Sequence, residues 1–498
     1  MNTEWKNRFA EWEKKLNAYQ FALTVIGIDA NDRPPYEGAA IRNEHTAFLH
    51  GELFSLENDA EMYEIMKGLL ADPDLDEVTR RKVQIRYQQA ARIHDVPKEV
   101  YVEYQRILHA SEQAWLECKK NADWPSYAPY LEKLVEAQKE LLSYRQDDRH
   151  PYDILLDDNE PGWNMERYDA FFAAVRTRLV PLIRRISACP QPPDAFLHKA
   201  YSIPRQRAFM QDVLAYLGFT PAWGKLGESE HPLTTWIAEN DVRITTKYRE
   251  HDPAAGILST VHETGHAYYA HDVDPAYDDS VIVSAISAGM HESQSRLCEN
   301  HLGRSESFWK VIFPRLKETF PEQLEDVSLR EFMKAVNLVK PSLIRTEADE
   351  LTYPLHIMIR YEIEKELFAG HVQTKDLASL WNAKYKEYLG LDVPDAASGI
   401  LQDMHWPYAY FGYFPTYALG SAFAAQFYAA MAEEIDPARL LEEERYPEIM
   451  AWLKEHIHRY GCLYPSSEIM EKATGKAFDP RFYLDYLEEK YSRLYDLK

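Results

Sequence analysis

Apolar positions recur at helical spacing through the first third of the chain. Between residues 3 and 145, Trp5, Phe9, Trp12, Leu16, Tyr19 and Phe21 stand among acidic and basic residues, the pattern of amphipathic helices that pack through one face. Several long helices are expected there, with such stripes forming core. The segment HPYDILLDDNEPGWN carries proline and glycine breakers, and residues 165–186 then return to helical spacing.

The texture changes at residues 233–248, LTTWIAENDVRITTKY, where β-branched residues alternate around a turn at Glu239, Asn240 and Asp241. A short hairpin is expected, and a period of two places Asp241, Arg243 and Thr245 on one strand face, where they line a cleft or meet solvent. A helix is then expected with Asp252 as N-cap and Pro253 as its first residue, ending just before Pro275. A second helix is expected over 289–302, stopped by Gly303. In PSLIRTEADE, Arg345 and Asp349 stand at i, i+4, the spacing of a helix-surface salt bridge. Residues 398–423 crowd aromatics among prolines and glycines, and irregular backbone is expected there.

Composition narrows the classes. The 498 residues contain no Gly/Ser tract, proline run or charge block that would act as a linker, so one folded unit spanning 1–498 is expected. Lys and Arg total 56 against 80 Asp and Glu, a net charge of -24. Such a surface repels phosphate backbones and anionic headgroups, so neither nucleic acid nor a membrane is an expected partner. The four cysteines are far apart and lack C-x-x-C spacing, consistent with a reducing cytoplasm rather than a disulfide framework. The opening MNTEWKNRFAEWEKKL has no apolar h-region, and export is not expected.

The chemistry concentrates in GILSTVHETGHAYYAH. His262 and His266 stand four residues apart, so on a helix both imidazoles project from one face and can meet one metal ion. Glu263 lies about a quarter turn away, placed to take a proton from water at the metal without being a ligand. Gly265 interrupts the helix at a cost of about 1 kcal/mol relative to alanine, a sign of close packing. A third ligand is needed to leave an open position. Glu292, Ser295, Arg296 and Glu299 share a face of the following helix, and spacing allows either Glu292, the candidate, or Glu299, the reserve. His405, followed by Tyr408, Tyr410, Tyr413 and Tyr417, is the candidate donor to a developing oxyanion, together with Tyr413 or Tyr417. Arg243 and Arg345 are the arginines available to grip a substrate carboxylate.

Five ordered segments, DVRIT at 241–245, HETGH at 262–266, HESQ at 291–294, IRTEAD at 344–349 and GILQDMHW at 399–406, resemble the carboxypeptidase Taq family of zinc metallocarboxypeptidases. The resemblance implies a mainly α fold like that of the neurolysin and angiotensin-converting-enzyme group, with a deep groove between two halves and a small β-sheet at its wall. It implies Glu292 as third ligand to zinc, with cobalt a substitute, and removal of single C-terminal residues with broad specificity and C-terminal proline disfavoured. It also implies a homodimer. The competing readings are an endo-acting oligopeptidase with the same metal machinery, which would cleave amidated peptides, and a non-catalytic helical scaffold, which would bind no metal.

Overall fold

A computed structural model describes residues 2–31, 38–284 and 286–497. Helices dominate, from Asn2–Asn31 at one end to Arg481–Leu494 at the other, and three short strands make one sheet. The amino-terminal stripe behaves as expected through Phe9, Trp12 and Leu16, which are buried, whereas Phe21 falls off the stripe and is 51% exposed. With Met62, Ile65, Leu69 and Val83 these residues form a satellite core. The main core runs from Trp115 to Tyr491 and surrounds the motif-bearing helices. Among the described residues, no helix is long and apolar enough to cross a membrane.

The sheet has the order β1-β3-β2, with β1 Gly224–Glu228, β2 Thr234–Ala238 and β3 Asp241–Thr246. β2 and β3 form the expected antiparallel hairpin, and β1 lies parallel to β3 on its other side. Val242, Ile244 and Thr246 are buried while Asp241, Arg243 and Thr245 turn to the opposite face, as the period of two requires. Thr246 and Thr260 hydroxyls, 3.0 Å apart, tie β3 to the helix Pro253–His271.

That helix begins at Asp252, whose side chain accepts from the Ala255 N–H, and has Pro253 in its first turn. It presses on the helix Ala288–Arg296 at Gly265. A Cβ there would meet the Gln294 carbonyl oxygen and the Ser295 Cα at 2.7 Å, so alanine would force the helices apart. Beyond Arg296 the chain widens into a π-helical turn, Leu297–Gly303, which includes Gly303 instead of stopping before it.

Two further expectations are corrected. Residues 345–347 form a single 3-10 turn, and Arg345 does not pair with Asp349. The Asp349 carboxylate accepts the Leu351, Thr352 and Lys340 backbone N–H groups, while Arg345 turns to Asp403. In the aromatic-rich segment, irregular backbone ends at Tyr413. Pro415 then stands in the first turn of the helix Phe414–Glu434, where its missing N–H costs nothing, so Tyr417 is helical.

Candidate active site

His262, Glu263 and His266 sit in the middle of the helix Pro253–His271, and Glu292 in the helix packed against it. Ligand atoms of His262, His266 and Glu292 all lie within 4.8 Å of one another. The Glu292 Oε2 is 3.8 Å from His262 Nε2 and 3.6 Å from His266 Nε2. Tetrahedral donors about 2.1 Å from a shared cation stand about 3.4 Å apart, so the three side chains fit a divalent metal.

Glu299, the reserve, takes the other edge of the same ring. Its Oε2 is 3.0 Å from His262 Nδ1, so the two carboxylates address opposite nitrogens of one imidazole. Arg296 joins them, donating to Glu292 Oε1 at 2.7 Å and Glu299 Oε2 at 3.2 Å, and Arg304 donates to Glu299 Oε1 at 3.0 Å. Burial alone would raise the Glu292 carboxyl, but Arg296 and both histidines hold it well below the usual carboxylate range. Behind Glu292, Gly420 of the helix Phe414–Glu434 comes so close that a Cβ there would lie 2.7 Å from the Glu292 Cβ.

Glu263 points elsewhere. The Thr234 hydroxyl of β2 donates to its Oε2 at 2.6 Å and is 3.0 Å from its backbone carbonyl oxygen, fixing the carboxylate of the residue next to His262. Sequence spacing did not reveal Thr234, because its partnership depends on how the hairpin docks on the helix.

The second half of the site is the segment around His405. Its Nε2 is 3.2 Å from the Tyr417 hydroxyl, and its ring packs on Phe414 and near Tyr413. Burial, then the Arg345 charge, push His405 down to about 3, so the ring is neutral at ordinary pH and carries one N–H to donate. Burial and the nearby Glu292 carboxylate push Tyr413 up to about 12, keeping it a donor as well. Tyr353 bridges the halves, with Arg296 over its ring at 4.7 Å and Arg345 Nη1 3.3 Å from its hydroxyl.

Of the two candidate arginines, Arg345 is 7% exposed and spends Nε and Nη2 on Asp403 Oδ1 at 3.0 and 2.8 Å. Arg360, fully buried, takes the other oxygen of the same carboxylate. Two guanidiniums thus share one aspartate. Arg243 lies on β3 with its side chain 32% exposed and bidentate to Asp241, both bonds 2.9 Å. The Thr245 hydroxyl is engaged within the sheet, 2.6 Å from Ser229 Oγ and accepting from the Leu233 N–H at 3.0 Å. Arg296, Glu299 and Asp403 carried signals in the sequence, the first two through their shared helix face and Asp403 through the GILQDMHW segment. Arg304 and Arg360, which complete these ion pairs, did not.

A helical body carrying two histidines of one helix and a glutamate of its neighbour around a cation-sized gap, with a separately held glutamate beside them, defines a metallopeptidase. The comparisons refine this. The family model described as carboxypeptidase Taq (M32) metallopeptidase matches residues 8–491, and the chain belongs to that family. It is 38% identical over 494 residues to carboxypeptidase 1 of Bacillus subtilis (strain 168), covering 99% of each chain. It is 37% identical to thermostable carboxypeptidase 1 of Thermus thermophilus, covering 97% of each. Its structure matches the crystal structure of M32 carboxypeptidase from Deinococcus radiodurans R1 with a TM-score of 0.95 and 35% identity, covering 99% of this chain and 100% of the other. The protein is a metallocarboxypeptidase with a mainly α fold.

Proposed function

We propose that this enzyme removes single C-terminal amino acids from peptides, using zinc on His262, His266 and Glu292 with Glu263 as general base. The observation that carries the reading is the division of labour among the acids: Glu292 converges with the two histidines, while the Glu263 carboxylate, from the residue next to His262, is held apart by Thr234. When bound, the cation supplies a Lewis acid that acidifies water to near neutrality and polarises the scissile carbonyl. Cobalt is a substitute that would serve the same role.

Glu263 accepts a proton from the attacking water and returns it to the leaving amine. Neutral His405, aligned by Tyr417 and flanked by Tyr413, donates to the oxyanion that develops opposite the metal helix. Asp403 neutralises only one of the two arginines it touches, which leaves one positive charge beside His405. That surplus favours Arg345 as the grip on the substrate's terminal carboxylate. Arg243, with Asp241 and Thr245 on the sheet, stands as a barrier to longer passage. Broad specificity with C-terminal proline disfavoured, and a cytoplasmic homodimer, complete the reading.

The test is Glu263→Gln assayed on a peptide with a free C-terminus and on its amidated twin. The expected outcome is full metal content with hydrolysis down by about 10²- to 10⁴-fold, and wild-type enzyme that spares the amide. Equal wild-type rates on both peptides would establish an endopeptidase instead.

A further inference from the structure

The short helix Pro151–Asn159 and its C-cap Glu160 are tied to both halves of the site. At its carboxyl end Glu160 is fully buried, and its Oε2 accepts the Gly289 N–H at 3.0 Å. Gly289 lies in the first turn of the helix that carries Glu292, where a carboxylate complements the exposed N–H groups and the helix dipole. The fit is close, since a Cβ on Gly289 would lie 2.5 Å from that same oxygen. Glu160 Oε1 is held in turn by the Ser466 hydroxyl at 2.6 Å.

The other end reaches the His405 segment. Tyr152 donates its hydroxyl to Glu364 Oε2 at 2.9 Å. Glu364 also accepts the Trp406 indole N–H at 2.7 Å and the Gly412 N–H at 2.8 Å, so it pins the segment at two points, one directly after His405 and one seven residues on. From the last residue of the helix, Asn159 Nδ2 donates to the Phe411 carbonyl oxygen at 3.2 Å. Gly412, at φ +74°, packs so tightly that a Cβ would sit 2.9 Å from the Leu155 carbonyl oxygen. Every donor to Glu160 and Glu364 named here is neutral, and each buried carboxyl is a hub of directed hydrogen bonds, a contact whose worth depends on geometry.

We propose that the helix Pro151–Asn159 is a strut that sets the spacing between Glu292 and His405, with Glu160, Tyr152 and Glu364 as positioning residues for catalysis. The inference rests on the reading that Glu292 and His405 serve one substrate. It explains why two buried carboxylates with no place in the reaction stand at opposite ends of one nine-residue helix. A misplacement of about 1 Å between reacting groups can cost on the order of 10²-fold in rate, so a slack strut should show in kcat.

The experiment uses the full-length, zinc-loaded enzyme with Glu160→Gln, Tyr152→Phe and the double variant. Each is assayed for kcat and KM on a free-C-terminus peptide, and for zinc affinity by chelator competition. Each single change should lower kcat by about ten-fold or more with KM within about two-fold, because ground-state binding is spared. The double variant should be little worse than the poorer single, since a strut released at one end no longer transmits from the other. Zinc affinity should fall in Glu160→Gln and hold in Tyr152→Phe. Should Tyr152→Phe fold poorly, Asn159→Ala breaks the link to Phe411 at lower structural cost and should reproduce its kcat loss. Wild-type kcat in both singles, or losses that multiply in the double, would overturn the strut. If Glu263→Gln keeps full activity, the catalytic reading fails on its own evidence, while the zinc-affinity arm still decides whether Glu160 positions the Glu292 helix.

Discussion

On one side of the site three carboxylates, Glu263, Glu292 and Glu299, surround two imidazoles, while on the other two guanidiniums share Asp403 beside a neutral imidazole. The metal side is anionic and built on two helices in direct contact. The His405 side is cationic, and its backbone is irregular up to Tyr413. On the proposed function, the contrast follows from what each half would hold. A cation needs negative, rigidly spaced donors, which helix periodicity supplies. A developing oxyanion and a terminal carboxylate need neutral and positive donors converging from several directions, which a folded-back loop supplies more readily than one helix face.

The largest effect should come from breaking the metal side. His262→Ala, His266→Ala or Glu292→Ala should each release the metal and abolish hydrolysis, measured by metal analysis beside the assay. A full complement of metal in Glu292→Ala, with loss in Glu299→Ala, would reverse the ligand assignment. Next comes the opposite face, where His405→Ala should cut kcat by about 10²- to 10³-fold while metal content stays whole. Because His405 is held down to about 3, its imidazole stays neutral from pH 5 upward, so the kcat–pH profile should show no step near its ordinary value of about 6.5.

Glu299→Ala should keep the metal but weaken its binding by about 10- to 100-fold, the usual cost of removing a carboxylate that orients a ligating histidine. Arg345→Ala should lower kcat/KM for free peptides by about ten-fold or more, since charge-assisted bonds contribute about 1.5–3 kcal/mol. Amidated peptides should be unaffected. If Arg345→Ala behaves as wild type and Arg243→Ala does not, the grip belongs to the sheet. The smallest effect concerns how the metal side is assembled: Gly265→Ala should lower stability by about 1–3 kcal/mol through overpacking on Gln294 and Ser295, read as a reduced Tm.

The two sides were also unequally legible. The metal helix, its cap, the paired histidines and the candidacy of Glu292 are all local in sequence, because an i, i+4 spacing and an N-cap fix geometry within two turns. The hairpin and its alternating face are local in the same sense. Spacing did not choose between Glu292 and Glu299, since both lie on one face; the family resemblance pointed to Glu292, and docking puts the two carboxylates at opposite nitrogens of His262. The Arg345 pairing was misjudged because i, i+4 has meaning only on a helix, and the chain makes a single 3-10 turn there.

What the sequence alone determined, then, is the set of elements and the chemistry each carries: helix periods, breakers, a metal-binding spacing and an acidic net charge. What only the tertiary structure decided is which groups meet across long separations. Thr234 reaches Glu263, Arg345 reaches Asp403, and Glu160 reaches Gly289. The physical reason is that short-range pattern fixes backbone conformation and the direction of a side chain relative to its own element. Hydrogen bonds and ion pairs between elements depend instead on distances of a few tenths of an ångström, set by how glycines such as Gly265 and Gly420 let helices close on one another.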